Sequence, residues 1–211
     1  MTSDDGLFIK ELASALQYVT LLLAIIYFKN YKNYSFYKFF VLYILVIVVV
    51  DILVEFFIVG DTRNLFNIYT FFEFNSIALI YYHLIKQKTR LKILKLLTVL
   101  FNLIYFISVS LDFYVLYTIP LEGVVNSIFV VLFFIELLNS DRILNYKKLF
   151  SFWMSVSFLI FYLTSVPFWS LYYSSIFNSR DMFPIIYYLA AVYQLIFIYA
   201  LIACKKMENS Y

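Results

Sequence analysis

The side chains in this sequence with most to offer chemically are a few carboxylates set inside long apolar runs. Asp51 and Glu55 stand four residues apart in KFFVLYILVIVVVDILVEFFIVG, from Lys38 to Gly60. In a helix that spacing puts both on one face. Glu73 follows Tyr69 by the same interval in NIYTFFEF, with Asn67 and Asn75 nearby, and Glu122 precedes Asn126 by four in IPLEGVVNS. A charge at bilayer depth costs about 2.5–3.5 kcal/mol on insertion scales, so such groups face other helices or a wet cavity. Acids gathered there repel one another and need protons, a bound cation or water. The chemistry this offers is the binding of a cation, or of a cationic or polar small molecule, with Asp51, Glu55, Glu73 and Glu122 as carboxylates and Asn67, Tyr69 and Asn126 beside them. Carboxylates with asparagine also suit a hard divalent ion such as Mg²⁺, and a protonated acid kept from water is a good proton donor.

The elements that must carry these residues are read from composition. The chain has 211 residues, of which 64% are hydrophobic and 14% charged, and its mean hydropathy is +0.89. A soluble domain has about a quarter of its residues charged, so an integral membrane protein is expected. Seven apolar segments stand out, at residues 7–28, 38–59, 65–85, 92–111, 115–138, 149–169 and 184–204. Each is near the ~20 residues a spanning helix requires. The expected fold is therefore all-α, a single seven-helix transmembrane domain over residues 1–211. Its short connections predict that each helix packs beside its sequence neighbour. The start, MTSDDGLFIKE, lacks the basic region of a signal peptide, so the first span is expected to be retained.

Charge orients the bundle. Lys29, Lys32 and Lys38 lie in or beside the first connection, and Lys86, Lys88, Arg90, Lys92 and Lys95 in or beside the third. Arg142, Lys147 and Lys148 lie in the fifth and Lys205 and Lys206 in the tail, against Lys10, Arg63 and Arg180 on the other side. The positive-inside rule then puts the N-terminus outside and the C-terminus in the cytoplasm of an inner-membrane protein. Tyr31, Tyr34, Tyr37, Tyr114, Tyr117, Trp169, Tyr172 and Tyr173 are read as interfacial belts. With only Gly6, Gly60 and Gly123 as glycines, close contacts of the GxxxG type are not expected. Pro120 is expected to kink the fifth span or to start it.

In that orientation the acids collect in the outer half of the bundle, which predicts an outward-facing pocket. Each also has a plainer reading. Glu11 fits a first helical turn, Glu122 does so too if Pro120 starts its helix, and Glu55 can reach the outer headgroups. Glu136 fits an ion pair with the loop that follows it, and His83 fits the interface. Asn and Gln within spans more often join helices than bind ligands.

Several chemistries are excluded. The single cysteine, Cys204, rules out an internal disulfide, and with His83 the only histidine a multi-histidine zinc site is ruled out. The last span has no lysine for a retinal Schiff base. No Gly-rich phosphate loop or G-x-S-x-G elbow occurs, and nothing suggests nucleic acid. No metal or cofactor is assigned. Partners are the lipid bilayer, a small cation or polar ligand, and a membrane protein if the chain acts through one. The leading function is ligand binding for sensing or transport. The alternatives are a membrane-embedded enzyme acting on a lipid or isoprenoid, and a structural subunit of a membrane complex.

Finally, NIYTFFEF (67–74), FWMSVSFLIFY (152–162) and FIELLNS before it resemble an uncharacterised family of small bacterial multi-pass membrane proteins. That resemblance implies a multi-span helical fold and gives weight to Glu73. It implies no activity.

Overall fold

The structure is a computed structural model, and it describes residues 3–56, 63–111, 114–173 and 183–204. These are almost wholly helical. Runs such as FVLYILVIVVV expose no alternation of polar and apolar residues, and in lipid a helix is what satisfies every backbone group within one segment. Seven long helices result: α1 (Ser3–Ile26), α3 (Ser35–Phe56), α4 (Arg63–Leu84), α5 (Lys88–Ser110), α6 (Tyr114–Leu138), α7 (Phe150–Tyr173) and α8 (Phe183–Ala203). A short α2 (Phe28–Tyr31) and a 3-10 segment (Asp141–Lys148) occupy two of the connections. Among the described residues, six of the long helices are long and apolar enough to cross a membrane. α4 equals them in length at 22 residues but is made less apolar by Asn67, Glu73, Asn75 and His83.

Each long helix packs on its sequence neighbour, as the short connections predict. α1 also packs on α8 and α4 on α6, so α1, α3, α4, α6, α7 and α8 close a ring. α5 lies outside that ring against α4 and α6, and its buried residues are the single stripe Leu94, Phe101 and Tyr105. The apolar residues left exposed, such as Leu22, Leu103 and Leu195, form a lipid-compatible exterior.

Polar contacts hold α5 in place. The side-chain amides of Asn75 and Asn102 exchange hydrogen bonds of 3.1 and 3.2 Å, Phe74 stacks on Phe101 with centroids 3.8 Å apart, and Tyr105 donates to the Asn67 carbonyl at 2.8 Å. Hydrogen bonds between membrane helices contribute about 0.6 kcal/mol on average and about 1.7 at most. A double-mutant cycle of Asn75→Leu and Asn102→Leu, followed by unfolding in detergent, is expected to return a coupling within that range.

Glu136 on α6 accepts from the backbone N–H groups of Lys86 at 2.7 Å and Gln87 at 3.3 Å, and Arg90 lies 3.6 Å away. It thus caps α5, which begins at Lys88. The expected ion pair is corrected in its partner: the charge comes from Arg90 in the first turn of α5, not from the loop after α6. The carboxylate stabilises α5's dipole and unbonded N–H groups. Glu136→Ala removes these bonds at the exposed start of α5 and is expected to cost about 0.5–2 kcal/mol, the range for a lost N-terminal cap, measurable as a lowered unfolding midpoint.

Lys88, Arg90, Lys92 and Lys95, expected in or beside the third connection, form the first turns of α5, where long basic side chains can lie along the helix with their charges at its end. Two sequence expectations need correction. Tyr31 and Tyr37 are not belt residues. They are 1% and 0% exposed, stacked with centroids 4.6 Å apart and joined by Phe150, while the Tyr37 hydroxyl donates to the Ala24 carbonyl at 2.9 Å. The side chains of Tyr114, Tyr117 and Tyr173 lie outside the described residues. Close small-residue packing does occur: a Cβ on Gly123 would stand 2.8 Å from Val166 Cγ2 and 3.2 Å from the Tyr162 carbonyl oxygen. Ser127, one turn on, donates to the Gly123 carbonyl at 2.7 Å. One glycine followed four residues later by serine is enough to bring α6 and α7 together.

Candidate functional site

Between α4, α6, α7 and the start of α8 lies a pocket of about 420 Å³. Glu73 from α4 and Glu122 from α6 both line it, and both are deeply buried, at 5% and 3% exposure. Pro120 does not start a helix: α6 begins at Tyr114, so Glu122 sits well inside and the first-turn explanation for it fails. The rest of the lining includes Asn67, Tyr69, Thr70, Tyr162, Ser165 and several aromatic rings. Trp169, Tyr172 and Phe183 frame the end of the pocket where α7 stops and α8 starts, with Tyr172 edge-on to Phe183 at 5.2 Å.

The hydrogen-bond balance of this pocket is one-sided. Tyr162 donates to Glu73 Oε1 at 2.5 Å, and Tyr69 lines the pocket beside the same carboxyl. Asn126 Nδ2 lies 3.5 Å from Glu122 Oε1. Thr70 gives its hydrogen to the Phe66 carbonyl at 3.0 Å and Ser165 gives its to the Tyr162 carbonyl at 3.0 Å. The Tyr162, Thr70 and Ser165 hydroxyls are therefore committed within the protein, while oxygen lone pairs of Glu73, Glu122, Thr70 and Ser165 remain, with the Asn67 amide as the neutral donor in the lining. Among the described residues, no lysine, arginine or histidine lines the pocket. Deeper in the bundle, Asn126 Oδ1 and Gln194 Oε1 belong to wholly buried side chains and have no donor among the described residues. An unpaired buried acceptor costs about 1–3 kcal/mol, so the site is richer in acceptors than the protein itself satisfies. It can receive a group that brings positive charge and several N–H donors.

Asn67, Tyr69, Glu73 and Glu122 are thus brought together, with Asn126 behind Glu122. Asp51 and Glu55 are not, which corrects the expectation of one four-acid cluster. Their shared face meets α1 instead. Tyr18 donates to Asp51 Oδ2 at 3.0 Å, and Lys10 Nζ lies 3.5 Å from Glu55 Oε2, with both side chains more than 40% exposed. The cation those two acids call for is already supplied by Lys10. Glu11 is exposed, and His83 is exposed and stacked on Phe39 at 5.2 Å. Among the described residues no three of His, Cys, Asp and Glu gather closely enough to hold a metal ion.

Sequence reasoning missed Tyr162, Thr70 and Ser165, and it read Trp169 and Tyr172 only as interfacial belts. A signal was present for the first. Tyr43, Tyr162 and Tyr193 all stand mid-span, far from the headgroups that usually take up a tyrosine hydroxyl, and a buried hydroxyl needs a partner. Tyr43 and Tyr193 neighbour each other and Glu73, and Gln194 Nε2 donates to the Tyr193 hydroxyl at 2.9 Å.

A second hollow, of about 430 Å³, creases the outer side of the α6–α7 seam. Val124, Ile128, Val131 and Leu163 are among its walls, and among the described residues no carboxylate lines it. On α6 its residues lie on another face from Glu122, and on α7 Val166, which also meets Gly123, lies beside the hollow.

Comparison of the chain with protein-family models, curated proteins and solved structures finds no match. The resemblance drawn from NIYTFFEF and FWMSVSFLIFY gains no support there. In the structure those two phrases do meet, because Glu73 and Tyr162 come one from each.

Proposed function

We propose that this chain is a seven-span inner-membrane protein, N-terminus outside and C-terminus in the cytoplasm, whose outward acidic pocket binds a small organic cation for sensing or transport. The observation that carries this reading is the pairing of Glu73 and Glu122 in an aromatic-walled pocket with no basic side chain among its described lining residues. A protonated amine brings the missing charge and the missing N–H donors. It also gains from aromatic faces, where a desolvated cation–π contact contributes about 2 kcal/mol. A hard divalent ion prefers six or more oxygen ligands and makes no use of the rings.

α4 is the seventh span in this reading. Its place in the ring supports that, and so does the direction of its polar residues: Glu73 and Thr70 point inward, while Asn75 is paired with Asn102. The basic residues supply the sidedness. The connections at 33–36, 83–86 and 142–149 meet around one hollow, and Cys204 Sγ approaches the Lys147 carbonyl at 3.8 Å, which brings the end of α8 to the same place. The acidic pocket is near the opposite end of α4. A lipid-acting enzyme finds no support in the outer crease, which lacks the acids.

The test is thermal unfolding of the purified protein in detergent with Na⁺, Mg²⁺ and a graded set of alkyl- and arylammonium ions. A ligand at a hundred times its dissociation constant stabilises the folded state by about 2.7 kcal/mol. Organic ammonium ions are expected to raise the midpoint and Mg²⁺ is not. A rise with Mg²⁺ alone contradicts the proposal.

A further inference from the structure

At the far end of the bundle from the acids, three chain connections enclose a hollow of about 210 Å³. The turn before α3 supplies Asn33, Ser35 and Phe36, the end of α4 supplies His83 and Lys86, and the 3-10 segment with its following residue supplies Arg142 and Leu149. Its chemistry is the reverse of the acidic pocket. Among the described residues no acidic side chain lines it, and neither the Lys86 ammonium nor the Arg142 guanidinium is paired with a carboxylate. The first turn of α3, a helix of 22 residues, begins at its rim, where N–H groups without helical partners favour an anion. Ser35 and Asn33 add neutral donors, while Phe36 and Leu149, both buried, give it an apolar floor. Stacking on Phe39 fixes the plane of the His83 ring.

We propose that this hollow is a binding site for a phosphate oxyanion, held by Arg142 and Lys86 with Ser35 and the start of α3. A planar guanidinium binds two phosphate oxygens at once, and an ammonium adds a point charge beside it. The hollow stands level with the helix ends, where phospholipid headgroups lie if these helices cross a membrane. The same chemistry would take the phosphate of a soluble ester, so the two sources are separated by experiment.

The protein in detergent is titrated with inorganic phosphate, with dihexanoyl phosphatidic acid and with dihexanoyl phosphatidylcholine, and the thermal midpoint is followed. Stabilisation by phosphatidic acid alone assigns the site to an anionic headgroup, and stabilisation by inorganic phosphate as well assigns it to phosphate from either source. In both cases Arg142→Gln is expected to weaken binding about tenfold or more, Arg142→Lys to restore part of it, and Lys148→Gln to leave it unchanged, since Lys148 does not line the hollow. Each variant's midpoint without ligand separates lost binding from lost folding. The proposal is overturned if none of the phosphates stabilises the parent, if phosphatidylcholine does so equally well, or if Lys148→Gln weakens binding as much as Arg142→Gln.

Discussion

Glu73→Gln lowers the affinity for an organic ammonium ion by about thirtyfold or more. Removing one charge from a buried, hydrogen-bonded pair costs about 2–5 kcal/mol, and every 1.4 kcal/mol is about a factor of ten. Glutamine keeps the shape and can accept from Tyr162 or Tyr69, so the unliganded protein should unfold within a degree or two of the parent. Glu122→Gln is expected to lose binding as well, but less. Glu73 is fixed by the Tyr162 hydroxyl, whereas Glu122 has the longer contact to Asn126. Tyr162→Phe retains both carboxyls and only frees one of them, so a few-fold loss is expected. The readout is a binding titration of each variant beside its unfolding midpoint. Equal affinity in the parent and Glu73→Gln would remove Glu73 from the site.

Gly123→Val separates α6 from α7 and is expected to destabilise the protein by about 1–3 kcal/mol, the usual cost of overpacking. Alanine is the less decisive substitution, because replacing glycine in a helix returns about 0.5–1 kcal/mol of backbone entropy against the clash. Valine adds two methyl groups where even a Cβ stands 3.2 Å from a backbone oxygen, so the clash wins. Tyr162 contributes that oxygen and also bonds Glu73, so ligand affinity should fall together with stability. Gly6→Ala is the comparison: there the Cβ meets only Pro184 Cγ at 3.3 Å, and little change is expected. Unfolding midpoints and binding titrations on both variants check this.

How much of this could be read from the chain follows from the range of each interaction. The long helices are local facts, written in twenty-residue apolar runs, and the sequence places them within a few residues. The i,i+4 pairs are local too, and Asp51 with Glu55 do share a face. What that face meets is not local. Asp51 turns to Tyr18 and Glu55 to Lys10 because α1 packs on α3, and nothing in the DILVE stretch says so. Glu73 and Glu122 come together because α4 packs on α6 in the ring while α5, between them in sequence, is pushed outside. Depth along a span could be counted from the sequence, but rotation around the bundle could not. The tyrosines failed for a related reason: Tyr37 near a helix end looks like a belt residue until Phe150 and Tyr31 are seen to cover it.

The central claim is that the acidic pocket recognises positive charge on an organic body. It is tested most directly by calorimetric titration of the unaltered protein with benzylammonium and with benzyl alcohol, which share a ring and a methylene and differ in charge. Saturable binding of benzylammonium, with benzyl alcohol at least about tenfold weaker, is the predicted result. Equal binding of the two, or none of either while Mg²⁺ binds, would contradict it.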